Sequence, residues 1–198
     1  MSTSNKTVIK SSIPSKNIVY IPNLFSLTEA NTYFEQLRQH VDWNQETIRL
    51  YGQAYEVPRL TAWYGDEDKS YTYSGITLHP VKWITPLLKI KKRIENISAC
   101  SFNSVLLNRY RNGSDSVSWH ADDEPELGPN PLIGSVSFGG TRPFQMKHKF
   151  TDERREILLQ HGSYLFMKGS TQHHYLHKIP KTKRAVGERI NLTFRQII

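Results

Sequence analysis

The sequence has a single cysteine, Cys100, in 198 residues. One thiol cannot form an intramolecular disulfide, so the chain suits a reducing compartment, cytoplasmic if bacterial and nuclear if eukaryotic. Apolar runs are short, and none approaches the length needed to span a bilayer, so no membrane partner is expected. Residues 1–16 are Ser, Thr and Lys with little apolar content. That stretch reads as a disordered tail, and without an apolar segment it is not a secretory signal. Hydrophobic residues make up only 37% of the chain, part of the deficit lying in this tail. Acid is also in deficit: 26 Lys and Arg face 18 Asp and Glu, a net charge of +8. The excess favours a polyanionic partner such as nucleic acid, with a merely solvated basic surface as the alternative.

No repeat or linker divides the remainder, so residues 17–198 read as one domain. Ser26 and Glu29 have the spacing of a capping box. Phe25, Leu27, Ala30, Phe34, Leu37 and Val41 then recur at helical spacing, which predicts an amphipathic helix over 27–40. A second helix is predicted from Pro80 to about Ile97, with Trp83, Ile84, Leu87, Leu88, Ile94 and Ile97 on its apolar face. Lys89, Lys91, Lys92 and Arg93 form its polar face, read as solvated. From Ser101 the pattern changes to short strands punctuated by glycine: 103–110, 133–138, 143–148, 155–159, 164–167, 174–179 and 189–197. The fold class is therefore α+β. Residues 101–198 form a jelly-roll core, and residues 17–100 add helices, which cover one sheet from outside, and a hairpin extension.

Within that core, His120 and Asp122 stand two residues apart, so in extended chain their side chains point the same way. With His177, 57 residues further on, they make a candidate 2-His-1-carboxylate site. Fe(II) suits such a ligand set because one coordination face stays open; zinc takes the same ligands and stays an alternative. The other histidines (His79, His148, His161, His173 and His174 among them) read as surface or core residues.

The C-terminal segment alternates strictly. Arg189, Asn191, Thr193 and Arg195 share one face, and Ile190, Leu192 and Phe194 the other. Two guanidinium groups on an inward sheet face are costly unless an anion meets them. A dicarboxylate co-substrate would do so, because arginine grips carboxylates through a two-pronged fork. A half-exposed edge strand is the alternative.

Taken together, Asn108-Arg109-Tyr110, His120-Ala121-Asp122-Asp123-Glu124, Tyr175-Leu176-His177 and the segment Arg189 to Arg195 occur in an order that resembles the AlkB family of Fe(II)/2-oxoglutarate-dependent nucleic-acid dealkylases. The resemblance covers roughly residues 40 to 198. Val57-Pro58-Arg59, Tyr64-Gly65-Asp66 and Tyr71-Thr72-Tyr73-Ser74-Gly75 resemble its DNA-repair branch.

The resemblance implies a double-stranded β-helix with a nucleotide-recognition lid. It implies Fe(II) on His120, Asp122 and His177, with 2-oxoglutarate and O₂ as co-substrates. Arg189 would pair with the distal carboxylate of 2-oxoglutarate, Arg195 would lie near the end that chelates iron, and Asn108, Tyr110 and Asn191 would complete the co-substrate site. Tyr71, Tyr73, Ser74, Asp123 and Glu124 look like the substrate pocket, with Leu50 and Tyr51 similar to a base-flipping wedge. The implied reaction is oxidative demethylation of 1-methyladenine and 3-methylcytosine in DNA, releasing formaldehyde, succinate and CO₂. An RNA demethylase or another hydroxylase on the same iron core, and a non-catalytic nucleic-acid binding module, are the alternatives. Lys178, Lys181, Lys183 and Arg184 are candidate phosphate contacts. The segment 147–156 is shorter than the basic loop that duplex-active members can carry. Nothing demands more than a monomer.

Overall fold

The computed structural model describes residues 9–10, 16–50, 52–67, 71–73, 76–78 and 80–198. In chain order the first half contains β1 (Ile9–Lys10), β2 (Ile18–Ile21), α1 (Leu27–His40), β3 (Thr47–Leu50), β4 (Gln53–Glu56), β5 (Leu60–Gly65), β6 (Tyr71–Tyr73), β7 (Ile76–Leu78) and α2 (Thr85–Ser98). The second half contains β8 (Ser104–Tyr110), β9 (Val117–His120), β10 (Ile133–Gly139), β11 (Arg142–His148), β12 (Arg154–Leu159), β13 (Ser163–Met167), the single turn α3 (Thr171–His174), β14 (Tyr175–Ile179) and β15 (Arg189–Arg195).

The strands build two facing sheets. A six-stranded sheet runs β2-β13-β10-β15-β8-β5, and a five-stranded sheet runs β1-β12-β11-β14-β9. Two hairpins, β3-β4 and β6-β7, stand apart as two-stranded sheets. This is the expected jelly roll, with pairing antiparallel throughout the main sheets except for β1 against β12.

Alternation along the central strands divides the interior into two layers. One face of the six-stranded sheet carries Val105, Leu107, Val136, Phe138, Ile190, Leu192 and Phe194, which pack with Ala30, Leu37, Leu87, Ile90 and Ile94 of the helices. The other face meets Phe144, Met146, Ile157, Leu159 and Ile179 of the five-stranded sheet. The helices thus cover one sheet from outside, as the sequence predicts. The capping box forms: Glu29 N–H donates to Ser26 Oγ at 3.3 Å and Ser26 N–H to Glu29 Oε2 at 2.8 Å.

Several elements differ from expectation. Leu27 is 71% exposed, because as the first helical residue it precedes the buried stripe of α1. The second helix begins at Thr85 instead of Pro80. Val81 is held extended: its N–H donates to Trp63 O at 2.9 Å and its carbonyl accepts from Gly65 N–H at 3.1 Å. Along α2 the buried positions are Leu87, Ile90 and Ile94, while Leu88 and Ile97 face outward. His174 ends the α3 turn and is not part of a strand, its N–H bonding to Ser170 O at 3.1 Å. Residues before 101 also supply β2 and β5 to the six-stranded sheet itself. The predicted tail lies outside the described residues apart from Lys16 and from Ile9–Lys10, which pairs with Arg155 and Glu156 along the edge of the smaller sheet.

Candidate metal and co-substrate centre

His120 ends β9 and His177 lies on β14, and the two are register partners across that antiparallel pair. The pairing sets their rings 4.3 Å apart, centroid to centroid. Asp122 follows two residues beyond the end of β9. Its backbone N–H donates to Gln172 Oε1 of α3 at 3.1 Å, and its carboxylate accepts from Arg195 Nη2 at 2.7 Å. One donor atom from each of His120, Asp122 and His177 lies within 4.8 Å of the others, the only such group of metal-capable side chains among the described residues.

The hydrogen bonds and electrostatics of the group suit a cation. His120 Nδ1–H donates to Ser118 O at 2.8 Å, which turns Nε2 towards Asp122 Oδ1 at 3.9 Å. Burial drives the His177 imidazole down to about 3, so it is neutral near pH 7. Its Nδ1 is buried without a hydrogen-bond partner. Burial alone would raise the Asp122 carboxyl, but the charge of Arg195 leads the opposing influences, its hydrogen bond among them, and the carboxyl is held below its ordinary range. Two imidazoles and a carboxylate whose ligand atoms converge fit a divalent metal of the first transition row. Phe144 stacks on the His177 ring at 5.0 Å and closes that side against water.

Facing this group, the inner face of the six-stranded sheet is polar. Arg189 lies opposite Tyr110, and Asn191 opposite Asn108, in the β15-β8 ladder. Arg189 is fully buried, its Nη2 donating to Ser137 Oγ at 2.9 Å and its guanidinium lying 5.1 Å from the Tyr110 ring centre. Its Nε and Nη1 are buried with no partner. Burial brings this guanidinium down to about 10, still charged at neutral pH. A buried cation with two unmet donors on one fork is what a carboxylate would complete. Asn191 donates to Ser135 Oγ and Val136 O at 2.9 and 2.8 Å. Asn108 Oδ1 accepts from Arg59 Nε at 2.6 Å, which brings Arg59 to the site's edge.

At the rim, Asp123 accepts from Lys149 Nζ at 2.9 Å. Glu124 Oε2 is buried with no partner. For the lid and wedge, Tyr71 and Tyr73 fall on β6 and Leu50 ends β3, but their side chains, with Tyr51 and Ser74, lie outside the described residues. Gly52 at the β3-β4 tip takes φ +80°, the left-handed conformation a tight hairpin requires.

Two residues of the centre carry no signal in the sequence. Gln172 is buried and tied to Asp122, although it lies 50 residues away in sequence. Arg142 is fully buried and donates to the carbonyls of Asn112, Asp115 and Pro180 at 3.1, 2.9 and 2.6 Å. It flanks Tyr110 at 5.7 Å, as Arg189 does.

Comparison with known proteins agrees with this geometry. A family model for the 2OG-Fe(II) oxygenase superfamily matches residues 17–195. The chain is 46% identical over 186 residues to alpha-ketoglutarate-dependent dioxygenase alkB homolog 3 of Bos taurus, covering 89% of this chain and 64% of that protein. It is 39% identical over 186 residues to DNA oxidative demethylase ALKBH2 of Mus musculus, covering 88% of this chain and 78% of the relative. Among solved structures, OsALKBH1 superposes with a TM-score of 0.67 at 18% identity, over 93% of this chain and 100% of that one, which shows a shared fold. The chain therefore belongs to the 2OG-Fe(II) oxygenase superfamily and, within it, to the AlkB family. Fe(II), 2-oxoglutarate and O₂ are the metal and co-substrates of that superfamily. The chain spans 64% of the length of the alkB homolog 3 relative from cattle. Among the described residues no helix is long and apolar enough to cross a membrane.

Proposed function

We propose that this protein is a dioxygenase that removes N-linked methyl groups from bases in DNA, with 1-methyladenine and 3-methylcytosine as substrates. The observation that carries the reading is the grouping of His120, Asp122 and His177 within 4.8 Å of one another, tied by the Arg195–Asp122 contact to the strand whose buried Arg189 has Nε and Nη1 without partners. Glu124 Oε2, two residues beyond Asp122, is likewise buried without a partner. The names of the relatives, an alpha-ketoglutarate-dependent dioxygenase and a DNA oxidative demethylase, support the reading.

In this reading His120, Asp122 and His177 hold Fe(II), which supplies O₂ activation coupled to decarboxylation of 2-oxoglutarate. Arg189 would receive the distal carboxylate on its two unpartnered nitrogens, and Ser137 holds its third nitrogen in place. Asn108, Tyr110 and Asn191 line the same pocket. Arg195 keeps Asp122 ionised and oriented beside the chelating end of the co-substrate. Glu124 accepts an exocyclic amine or balances the positive ring of a methylated base, and Asp123 lies beside it at the rim. Tyr71, Tyr73 and Ser74 form the stacking side of the pocket, and Leu50 and Tyr51 the wedge. Methylation of the Watson–Crick edge weakens pairing, so such a base is cheaper to extrude. All the side chains of the iron and co-substrate sites come from one chain, so a monomer suffices. Cys100 is a free thiol, which accords with a reducing compartment.

The test is incubation with Fe(II), ascorbate, 2-oxoglutarate and an oligonucleotide carrying 3-methylcytosine, read by mass. Loss of the methyl group with formation of succinate, abolished by Asp122→Ala and by His177→Ala, is expected. Succinate formation only with methylated RNA would move the substrate to RNA. Binding without any 2-oxoglutarate turnover would leave a non-catalytic module.

A further inference from the structure

The inner face of β11 carries Arg142, Phe144 and Met146 in alternation, all three buried. Phe144 stacks on the His177 ring, so Arg142 shares a strand face with a neighbour of the metal group. Arg142 itself lies against Tyr110, its guanidinium 5.7 Å from the ring centre, while Arg189 lies 5.1 Å from the same ring. The two guanidinium groups reach Tyr110 from opposite sheets, Arg142 from the smaller and Arg189 from the larger.

Two chain connections meet at Arg142. Residues 111–116 join the strand bearing Asn108 and Tyr110 to the strand that ends at His120, and residues 180–188 join the strand of His177 to that of Arg189. Arg142 Nη1 donates to Asn112 O at 3.1 Å and Nη2 to Asp115 O at 2.9 Å in the first connection. Nη2 also donates to Pro180 O at 2.6 Å in the second. The connections touch directly as well: Thr182 N–H donates to Gly113 O at 2.8 Å, and a Cβ on Gly113 would collide with Thr182 O.

Hydrogen-bond donors alone would close this joint, and a neutral amide could supply them without the cost of burying a charge. The charge of Arg142 is not neutralised where it lies. Its three partners are carbonyls, and the Asp115 carboxylate is taken by Arg111, which donates from its backbone N–H, Nε and Nη2 at 2.9, 2.8 and 2.9 Å. Arg142 Nε is buried without a partner, as are Nε and Nη1 of Arg189. Burial pulls both guanidinium groups below their ordinary range, and the nearby Arg142 charge adds to the effect on Arg189. Two buried cations flanking one ring make sense if an anion enters between the sheets.

We propose that Arg142 is a positioning residue for the co-substrate, which fixes Tyr110 and the start of the Arg189 strand and supplies a second positive charge, so that the cleft selects a dicarboxylate over a monocarboxylate 2-oxo acid. It acts through Tyr110 and Arg189 and through the two connections it joins. The inference rests on the reading of Arg189 as the partner of the distal carboxylate, and it is independent of which nucleic acid the protein acts on.

Calorimetric titration of the Co(II)-loaded protein, without nucleic acid, tests this with two ligands. One is 2-oxoglutarate; the other is 2-oxopentanoate, which keeps the keto-acid end and has a methyl group in place of the distal carboxylate. The wild type should prefer 2-oxoglutarate. Arg142→Met should weaken 2-oxoglutarate by about 10- to 100-fold, the scale on which a supporting residue acts, and leave 2-oxopentanoate and Co(II) affinity nearly unchanged. Arg142→Lys keeps the charge and has three N–H donors for the three carbonyls, so it should recover most of the preference. Gly113→Ala pushes the two connections apart without altering either guanidinium, so it should lose part of the preference; it decides the matter if melting shows that Arg142→Met does not fold. Equal weakening of both acids in the deciding variant would make Arg142 a structural clamp and overturn the proposal, as would a preference kept in full. A wild type that does not distinguish the two acids would overturn the Arg189 assignment and this inference together, whereas a failed demethylation assay on DNA would touch neither.

Discussion

Arg195 holds Asp122. The guanidinium of the last residue of β15 donates at 2.7 Å to a carboxylate two residues beyond β9, the edge strand of the opposite sheet, and both side chains are largely shielded from water. This contact crosses the cleft between the sheets, and it ties the arginine-bearing strand to the metal group. Arg195→Met should therefore reduce Fe(II) or Co(II) affinity by about 10- to 100-fold, as loss of a group that orients a ligand commonly does. Isothermal titration with Co(II) measures it; an unchanged affinity would show that Asp122 needs no such support.

Arg189 gives a prediction of opposite sign for fold and function. Its charge is fully buried, and two of its nitrogens have no partner. Replacing an unmatched buried cation with an apolar group of similar length stabilises by about 1–4 kcal/mol where packing is kept. Arg189→Met should thus melt higher than the wild type without ligands. The rise in melting temperature that 2-oxoglutarate gives the metal-loaded wild type should be lost. A variant that melts lower and still responds to 2-oxoglutarate would refute the assignment.

Glu124 offers a test of substrate charge. With Oε2 buried and unpartnered, Glu124→Gln should lower kcat/KM for a cationic base such as 3-methylcytosine by roughly tenfold, the scale of one charge-assisted hydrogen bond. A neutral methylated base should lose much less. Equal losses on both would remove Glu124 from base recognition.

His161 supplies a pH dependence remote from the reaction. Its Nδ1 accepts from Gly139 N–H at 2.7 Å and its Nε2–H donates to Asn31 Oδ1 at 3.1 Å, so the ring must be neutral. Burial holds its pKa below the ordinary 6.5. A depressed histidine contributes stability that is complete above the unfolded value and is lost as pH falls towards the folded one. His161→Phe should cost about 1–3 kcal/mol at pH 8, chiefly from stranding the Gly139 N–H. That cost should shrink below pH 6.5. Urea midpoints of both proteins at several pH values would show a narrowing gap, whereas a constant one would contradict the tautomer.

The parts of this molecule that are legible in its sequence are those fixed by local period. The two-residue step from His120 to Asp122, the strict alternation from Arg189 to Arg195 and the Ser26–Glu29 capping box each express a geometry that a few neighbouring residues dictate. The rest depends on partners far along the chain. Arg142 stands at the first position of β11, one residue before the predicted strand, and its carbonyl partners come from segments around 112–115 and 180. Gln172 looks like any polar turn residue until α3 places it beneath Asp122. Val81 carries a helix-compatible residue into an extended pairing because β5 offers it backbone partners. Leu88 and Ile97 satisfy helical spacing, yet the buried face of α2 is set by Leu87, Ile90 and Ile94.

The two faces of β15 have a consequence for how such a protein can change over generations. Ile190, Leu192 and Phe194 anchor the strand in the layer beneath the helices, while Arg189, Asn191, Thr193 and Arg195 point the other way. Because one strand serves both layers, its backbone position is guaranteed by residues that never meet a reactant. The reacting face can then be revised one side chain at a time, and the chain can explore new chemistries without first solving again the problem of folding.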